Sequence, residues 1–142
     1  MSLFSALSVS ASGMSAQRTR AELITENLAN AETTRTPDGG PYRRKDAVFE
    51  SAGAASFASI LGDAMTPGGV SVSAVNVDER DPVQRYQPGH PDAGPDGYVG
   101  YPHINAAEEM VDLMSASRGY QANIASMTAV KDMIQHSIDL LR

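Results

Sequence analysis

The sequence predicts an α+β protein: an antiparallel, coiled-coil-like pair of long N- and C-terminal helices with a small β-rich insertion between them. Two observations predict this fold class. Apolar residues recur at helical spacing near both ends of the 142-residue chain, whereas all eight prolines and most of the twelve glycines lie between those ends. We therefore expect a terminal helical domain made of residues 1–30 and 105–142, and an insertion with long loops over residues 31–104.

The first predicted helix carries a narrow and weakly apolar stripe. Ser, Ala and Gly make up ten of the first sixteen residues, so the helix buries too little surface to be ordered alone, although small side chains let helices approach closely. Two interpretations remain open: a solvent-exposed helix with a poor core face, or a helix packed on several sides by other subunits. Its two heptad rows are Leu7, Met14, Ala21 and Leu28, and Leu3, Ser10, Gln17 and Ile24.

The insertion contains short runs in which β-branched and aromatic residues alternate with polar ones. They predict strands at residues 47–49, 70–77, 83–86 and 98–101, which we expect to form one small antiparallel sheet. Periodicity does not decide between helix and strand for residues 57–65.

The second predicted helix begins after Asn105, because Asn105 followed by Glu108 is a typical N-terminal cap. Glu108 and Glu109 fall in the first turn, where the helix dipole favours negative charge. A helix of about 36 residues is roughly 54 Å long, which is typical of a coiled-coil element. We expect the two helices to pair antiparallel, with the insertion projecting from one end and the helices weakly ordered until other helices surround them.

Composition argues against several functions. A formal net charge of -6 disfavours binding to nucleic acid or to anionic membranes, and no run of residues is long and apolar enough for a membrane span or a cleaved signal peptide. Without cysteine there is no disulfide and no thiolate chemistry. The basic run at residues 43–45 is interpreted as a solvated turn.

No catalytic or metal-binding motif is present in the sequence, and we expect no enzyme activity and no cofactor. His90, His103 and His136 lack metal-ligand spacing. Asp92 and Asp96 fall in a Pro/Gly-rich turn whose spacing fails the calcium-loop pattern.

Motifs at both ends of the chain resemble those of the flagellar rod and hook proteins. SGMSAQ at residues 12–17 and ENLANA at residues 26–31 resemble the N-terminal signature of that family, and the longer segment at residues 32–45 is similar to that of its proximal-rod members. EMVD at residues 109–112 and ASRGYQAN at residues 116–123 resemble the C-terminal signature. The resemblance covers both ends and the overall length, and residues 52–66 carry little of it.

The resemblance implies a structural subunit of the proximal rod in the periplasmic part of the flagellar basal body. Such a subunit is exported by the flagellar type III machinery without a cleaved signal peptide, and polymerises into a drive shaft that transmits motor torque around the export channel. Its implied partners are other copies of itself, other rod proteins, and the export-gate and adaptor proteins of the basal body, with neither nucleic acid nor direct membrane insertion.

Thirteen residues are candidates for assembly contacts. Seven are expected to carry hydrophobic helix packing, within the chain or between subunits: Leu7, Met14, Leu28, Met110, Met114, Ile124 and Ile138. Six polar residues are candidates for inter-subunit hydrogen bonds, for capping of the first helix, or for a solvated face: Asn27, Asn30, Arg118, Tyr120, Gln121 and Asn123. Two other functions remain as alternatives, a secreted coiled-coil interaction protein of a type III secretion apparatus and a small hydrolase with an unrecognised site.

Overall fold

The fold was obtained as a computed structural model that describes residues 3–37, 39–52 and 68–140. Its elements in chain order are α1 (Leu3–Ala29), β1 (Lys45–Ser51), β2 (Val70–Val77), β3 (Val83–Tyr86), β4 (Tyr98–Tyr101) and α2 (Ala106–Asp139). The α+β class, the two terminal helices and the four strands are confirmed. Residues 57–65, whose structure the sequence left open, fall outside the described residues.

The start of α2 is fixed by its cap. The side chain of Asn105 accepts a hydrogen bond from the backbone N–H of Ala107 at 3.1 Å, which satisfies one of the free donors of the first turn. Glu108 and Glu109 follow in that turn, as the helix dipole favours. The helix has 34 residues, so it is about 51 Å long.

The two helices pair antiparallel, as the sequence predicts, in a single register. Ser10 Oγ donates to Ser126 Oγ at 3.3 Å, and Asn27 Nδ2 donates to Glu109 Oε2 at 3.3 Å. In both pairs the residue numbers add to 136. Because α1 begins at Leu3 in the described chain, its pairing with α2 ends near Met133, and the last turns of α2 extend beyond α1.

Small residues let the two helices approach closely. A Cβ atom on Gly13 would lie 2.8 Å from Asn123 Oδ1, and one on Gly119 would lie 3.1 Å from Gln17 Cδ. These two pairs also add to 136. The seam therefore follows the Ser10–Gln17–Ile24 row of α1, whereas the Leu7–Met14–Leu28 row lies beside it and is half-buried.

The strands form two separate two-stranded ribbons, so the prediction of one small sheet is wrong. β1 pairs with β2, with a bulge between Val48 and Phe49, and β3 pairs with β4. In the second ribbon Val99 and Tyr101 are buried, and the guanidinium of Arg85 lies 4.6 Å from the ring centroid of Tyr101. Each ribbon thus has its own packing partners, and the described strands make no ladder between the two.

The ribbon of β1 and β2 lies along α1, so the prediction that the insertion projects from the end of the hairpin is wrong for this part. At one end the backbone N–H of Lys45 donates to Asn27 Oδ1 at 2.9 Å, and at the other end that of Val70 donates to Ser12 Oγ at 3.0 Å. Seven strand residues span about 23 Å and fifteen helical residues about 22 Å, so the lengths match. The chain turns back after α1 in a loop closed by the hydrogen bond from Tyr42 N–H to Thr33 O at 3.1 Å.

The seam makes a testable prediction at Gly13. Replacing Gly13 with Leu places a branched side chain where the helices are closest, and we expect the free energy of unfolding to fall by about 1–3 kcal/mol. Urea denaturation followed by circular dichroism measures this. Ser15→Leu changes an exposed position of the same helix and should stay within about 0.5 kcal/mol of the parent. Equal losses in both variants would contradict the close approach at Gly13.

Candidate assembly surface and the joint at its base

A buried carboxamide at the end of α1 connects three parts of the chain. The side chain of Asn27 is fully buried. Its Nδ2 donates to Lys45 O at 2.8 Å and to Glu109, and its Oδ1 accepts from Lys45 N–H and from Tyr42 Oη at 3.0 Å. Both donor hydrogens and both acceptor positions of the amide are therefore used. The two bonds to Lys45 imitate pairing with a neighbouring strand, so α1 closes the outer edge of β1 at its first residue.

Glu109 is the contribution of α2 to this cluster. Its side chain is 3% exposed, and its Oε1 accepts from Arg44 Nε at 2.6 Å while its Oε2 accepts from Asn27. A buried carboxylate is costly unless it is paired and hydrogen-bonded, and these two partners provide both. Burial lowers the pKa of Arg44, but the hydrogen bond and charge of Glu109 outweigh burial and leave that pKa raised.

Tyr42 and Lys45 complete the cluster, which we call the basal joint: Asn27, Tyr42, Arg44, Lys45 and Glu109. Burial, together with the nearby carboxylates of Glu26 and Glu109, raises the pKa of Tyr42 to about 12. The phenol is thus protonated at neutral pH and can donate to Asn27. Lys45 Nζ lies 2.5 Å from Glu26 Oε1, which adds an ion pair at the more exposed side of the joint.

The interpretation of residues 43–45 as a solvated turn is wrong for Arg44 and Lys45, whereas Arg43 is exposed. Arg44 and Lys45 are half-buried and pair with the carboxylates of Glu109 and Glu26, while Arg43 donates from Nη1 to Asp78 O at 3.1 Å. The basic run lies here because the loop after α1 passes between the end of α1 and the start of α2, where both carboxylates face it.

The sequence alone does not mark Glu109 as a site residue. Its place in the first turn is explained equally well by the helix dipole, as for the exposed Glu108. However, Glu109 is seven residues before Ala116 and therefore on the same face of α2, and Ala116 is buried in the seam. An acidic residue on the buried face of a helix calls for a partner, which distinguishes it from an acidic residue on the solvated face.

The seven apolar candidates lie outside the centre of the seam. Those of α1 are half-buried, and those of α2 are between 43% and 60% exposed, so packing within the chain does not bury them. On α2, a row formed by Met110, Met114 and Ile124 is rotated about the helix axis by roughly 120° from Ala116. Ile138 lies where α2 extends beyond α1. Their assembly role stays a prediction for Leu7, Met14, Leu28, Met110, Met114, Ile124 and Ile138.

The six polar candidates divide into two groups. Asn27, Asn30 and Asn123 are used within the chain: Asn30 Nδ2 donates to Glu26 O in the last turn of α1, and Asn123 Nδ2 donates to Gly119 O, both at 2.9 Å. The other three polar candidates are exposed: Arg118, Tyr120 and Gln121. Their side chains make no hydrogen bond or ion pair with any part of the chain that the structure describes, and their role between subunits stays a prediction.

Asp92, whose turn does not fit the calcium-loop pattern, connects two loops of the chain. Its Oδ2 accepts from Thr34 Oγ1 at 2.8 Å, and its Oδ1 lies 3.6 Å from Arg35 Nη1, which connects the loop after α1 to the loop between β3 and β4. Among residues 3–37, 39–52 and 68–140, no three His, Cys, Asp or Glu side chains come together as a metal site. Neither helix in these ranges is both long and apolar enough to cross a bilayer.

Two family models match the ends of the chain. The model described as flagella basal body rod protein matches residues 7–35, and the one described as flagellar basal body rod FlgEFG protein C-terminal matches residues 96–140. These segments contain most of α1 and the whole of α2.

Curated relatives match the whole chain, including the insertion. The flagellar basal-body rod protein FlgC of Borreliella burgdorferi is 38% identical over 100% of this chain and 99% of its own length. The FlgC of Bacillus subtilis is 40% identical over 99% of each chain, and that of Salmonella typhimurium is 38% identical over 99% of this chain and 98% of its own.

The joint predicts a large loss of stability on replacing Asn27 with Ala. The change leaves the backbone groups of Lys45 and the hydroxyl of Tyr42 without their buried partner, and we expect the free energy of unfolding to fall by about 2–4 kcal/mol. Asn30→Ala is the matched control, because it removes a partly exposed amide of the same helix end and should cost about 1 kcal/mol. Urea denaturation of both variants decides, and a loss at Asn27 no larger than at Asn30 would disprove this role.

The raised pKa of Tyr42 predicts a loss of stability at alkaline pH. Below pH 10 the phenol is protonated in the folded and unfolded chain alike. Above it the unfolded chain releases its proton first, so the free energy of unfolding falls as the pH rises from about 10 to about 12. Urea denaturation across that window should give a shallower decline for Tyr42→Phe than for the parent. Tyr86→Phe, at a side chain that is 66% exposed, should follow the parent curve.

Proposed function

This chain belongs to the flagellar basal-body rod proteins and is a structural subunit of the proximal rod, and we propose that its paired terminal helices polymerise into the helical drive shaft that transmits motor torque. The observation that carries the mechanism is the exposed apolar row of α2. Met110, Met114 and Ile124 are each at least 43% exposed in the isolated chain. At roughly 25 cal/mol per Å² of apolar surface removed from water, covering this row provides the driving force for association.

The seam and the apolar row divide the surface of α2 into two faces with separate tasks. The seam face, with Ala116 and Gly119, packs against α1 through small side chains. The row lies to one side of the seam and remains open, so a second helix can approach α2 without displacing α1. This arrangement supports a head-to-tail contact that does not close on itself and therefore builds a helical assembly.

A long uncharged stretch in the distal half of the hairpin supports enclosure by neighbouring subunits. Residues 6–17 contain no charged side chain, and neither do residues 119–130, which lie opposite them in the observed register, whereas Lys131 and Asp132 lie opposite the first turn of α1. Charged residues are depleted where surfaces are fully buried, because their desolvation is costly. We therefore propose that residues 1–30 with 105–142 form the assembly domain, and that residues 31–104 form an outer layer.

Family membership places the chain in the basal body, in assembly with itself and with other rod proteins. We further propose contact with the export-gate and adaptor proteins, passage through the flagellar type III machinery without a cleaved signal peptide, and a periplasmic location around the export channel. The proposed role is mechanical and involves no catalysed reaction and no cofactor.

The apolar row predicts that Met114→Gln with Ile124→Gln blocks assembly and leaves the chain folded. Both side chains are exposed, so circular dichroism of the monomer should not change, while incorporation into purified basal bodies should drop at least about tenfold because apolar burial is lost. The matched control is Val83→Gln with Tyr98→Gln, two side chains of similar exposure in the insertion. Equal incorporation of the two double variants would refute the assignment of the row.

Hydrogen exchange of the parent chain supplies a second readout of the same prediction. Amides of both helices should exchange faster in the monomer than in the rod. The largest change is expected in residues 3–17 and 119–130, because the basal joint already holds the opposite end of the hairpin. Full protection of both halves in the monomer would contradict ordering by assembly.

A further inference from the structure

The register of the α1–α2 hairpin needs a determinant, because no short loop joins the two helices. Short loops between helices fix which residues face each other, whereas here the chain from residue 30 to residue 105 intervenes. A helix that slips by four residues, about one turn, moves about 6 Å along its axis. The question is which contact distinguishes the observed register from its neighbours.

The seam itself does not distinguish them. In the observed register Gly13 lies opposite Asn123 and Gln17 lies opposite Gly119. A slip of one turn that makes paired residue numbers add to 132 would place Gly13 opposite Gly119 and Ala16 opposite Ala116, which again are small residues. The close approach of small residues at the middle of the seam is therefore possible in both registers.

The basal joint does distinguish them. Tyr42 and Lys45 are hydrogen-bonded to Asn27 on the α1 side, and Arg44 lies between them in the chain, so these groups keep their places when α2 moves. After the same slip Glu109 would lie opposite Leu23, without its hydrogen bonds to Asn27 and Arg44. An unpaired buried carboxylate opposes that register strongly.

We infer that Glu109 sets the register of the hairpin by placing its buried carboxylate where Asn27 and Arg44 can bind it. A buried polar residue in an otherwise permissive helix pair is a known way to specify alignment. The consequence is that every copy of the chain presents its exposed faces at the same height along the hairpin. The inference concerns the isolated chain and does not depend on assembly.

The absence of cysteine allows a direct test with engineered disulfides. Ser10→Cys with Ser126→Cys reports the observed register, since the two hydroxyl oxygens are 3.3 Å apart. Ser10→Cys with Ala122→Cys reports the slipped register. Under mild oxidation of the monomer, the first pair should form at least tenfold more disulfide than the second. The ratio compares two forms of a paired hairpin, so partial helix formation lowers both yields and leaves the ratio unchanged.

Glu109→Met should bring this ratio close to one, because Met has a similar length and no charge to place. Glu109→Gln keeps only one of the two hydrogen bonds to Asn27 and Arg44, because its amide has a single acceptor oxygen, and it should give a ratio between those of the parent and Glu109→Met. Glu108→Met, at the exposed neighbouring residue, is the matched control and should retain the parent ratio. A parent ratio preserved in Glu109→Met would overturn the inference. So would a parent chain that forms neither disulfide, because the hairpin would then not exist in the free chain.

Exchanging Glu109 and Leu113 tests the inference in the opposite direction. The double variant Glu109→Leu with Leu113→Glu keeps the composition and moves the carboxylate by one turn on the same face of α2. The register in which paired numbers add to 140 should then dominate, so Ser10→Cys with Val130→Cys should form more disulfide than Ser10→Cys with Ser126→Cys. Retention of the original order would show that the register is set elsewhere.

Discussion

Taking the carboxylate of Glu109 out of water imposes requirements on every element around it. The carboxylate needs a cation and a hydrogen-bond donor, so the loop after α1 must bring Arg44 to it and α1 must end with Asn27 at the same level. The amide of Asn27 then takes the first residue of β1 as its second partner, which fixes where the ribbon begins. Helix pairing, loop path and strand position at the base of the molecule therefore follow from one buried charge.

The hairpin distributes its polar and apolar side chains in an order unlike that of a compact globular domain. The best-satisfied contacts between its elements are polar and internal, centred on Asn27, whereas large apolar side chains such as Met114 and Ile124 face outward. The seam gains little from apolar area because Gly13 and Gly119 occupy its closest points. The alignment of the two helices therefore rests on polar contacts, and many large apolar side chains remain exposed in the isolated chain.

The elements formed by local forces could be predicted from the sequence. Helix periodicity, the Asn105 cap and the alternation of residues 70–77 each depend on neighbours within a few positions, and the structure agrees with them. The basal joint depends on contacts between residues that are far apart in the sequence. Asn27 is 18 positions from Lys45 and 82 positions from Glu109, and no local pattern specifies such contacts. For the same reason the sequence indicates neither the ion pairs of Arg44 and Lys45 nor the division of the strands into two ribbons. Family motifs, rather than chemistry at a site, identified the function.

The attachment of the β1–β2 ribbon at Ser12 and at Asn27 has a mechanical consequence. A β-strand is close to the greatest length its backbone allows, so it cannot lengthen further under load. With both ends of the ribbon hydrogen-bonded to α1, curvature of the helix away from the ribbon would have to stretch an inextensible partner or break both attachments. The ribbon consequently acts as a brace that gives the basal half of α1 a bending stiffness that a bare helix lacks.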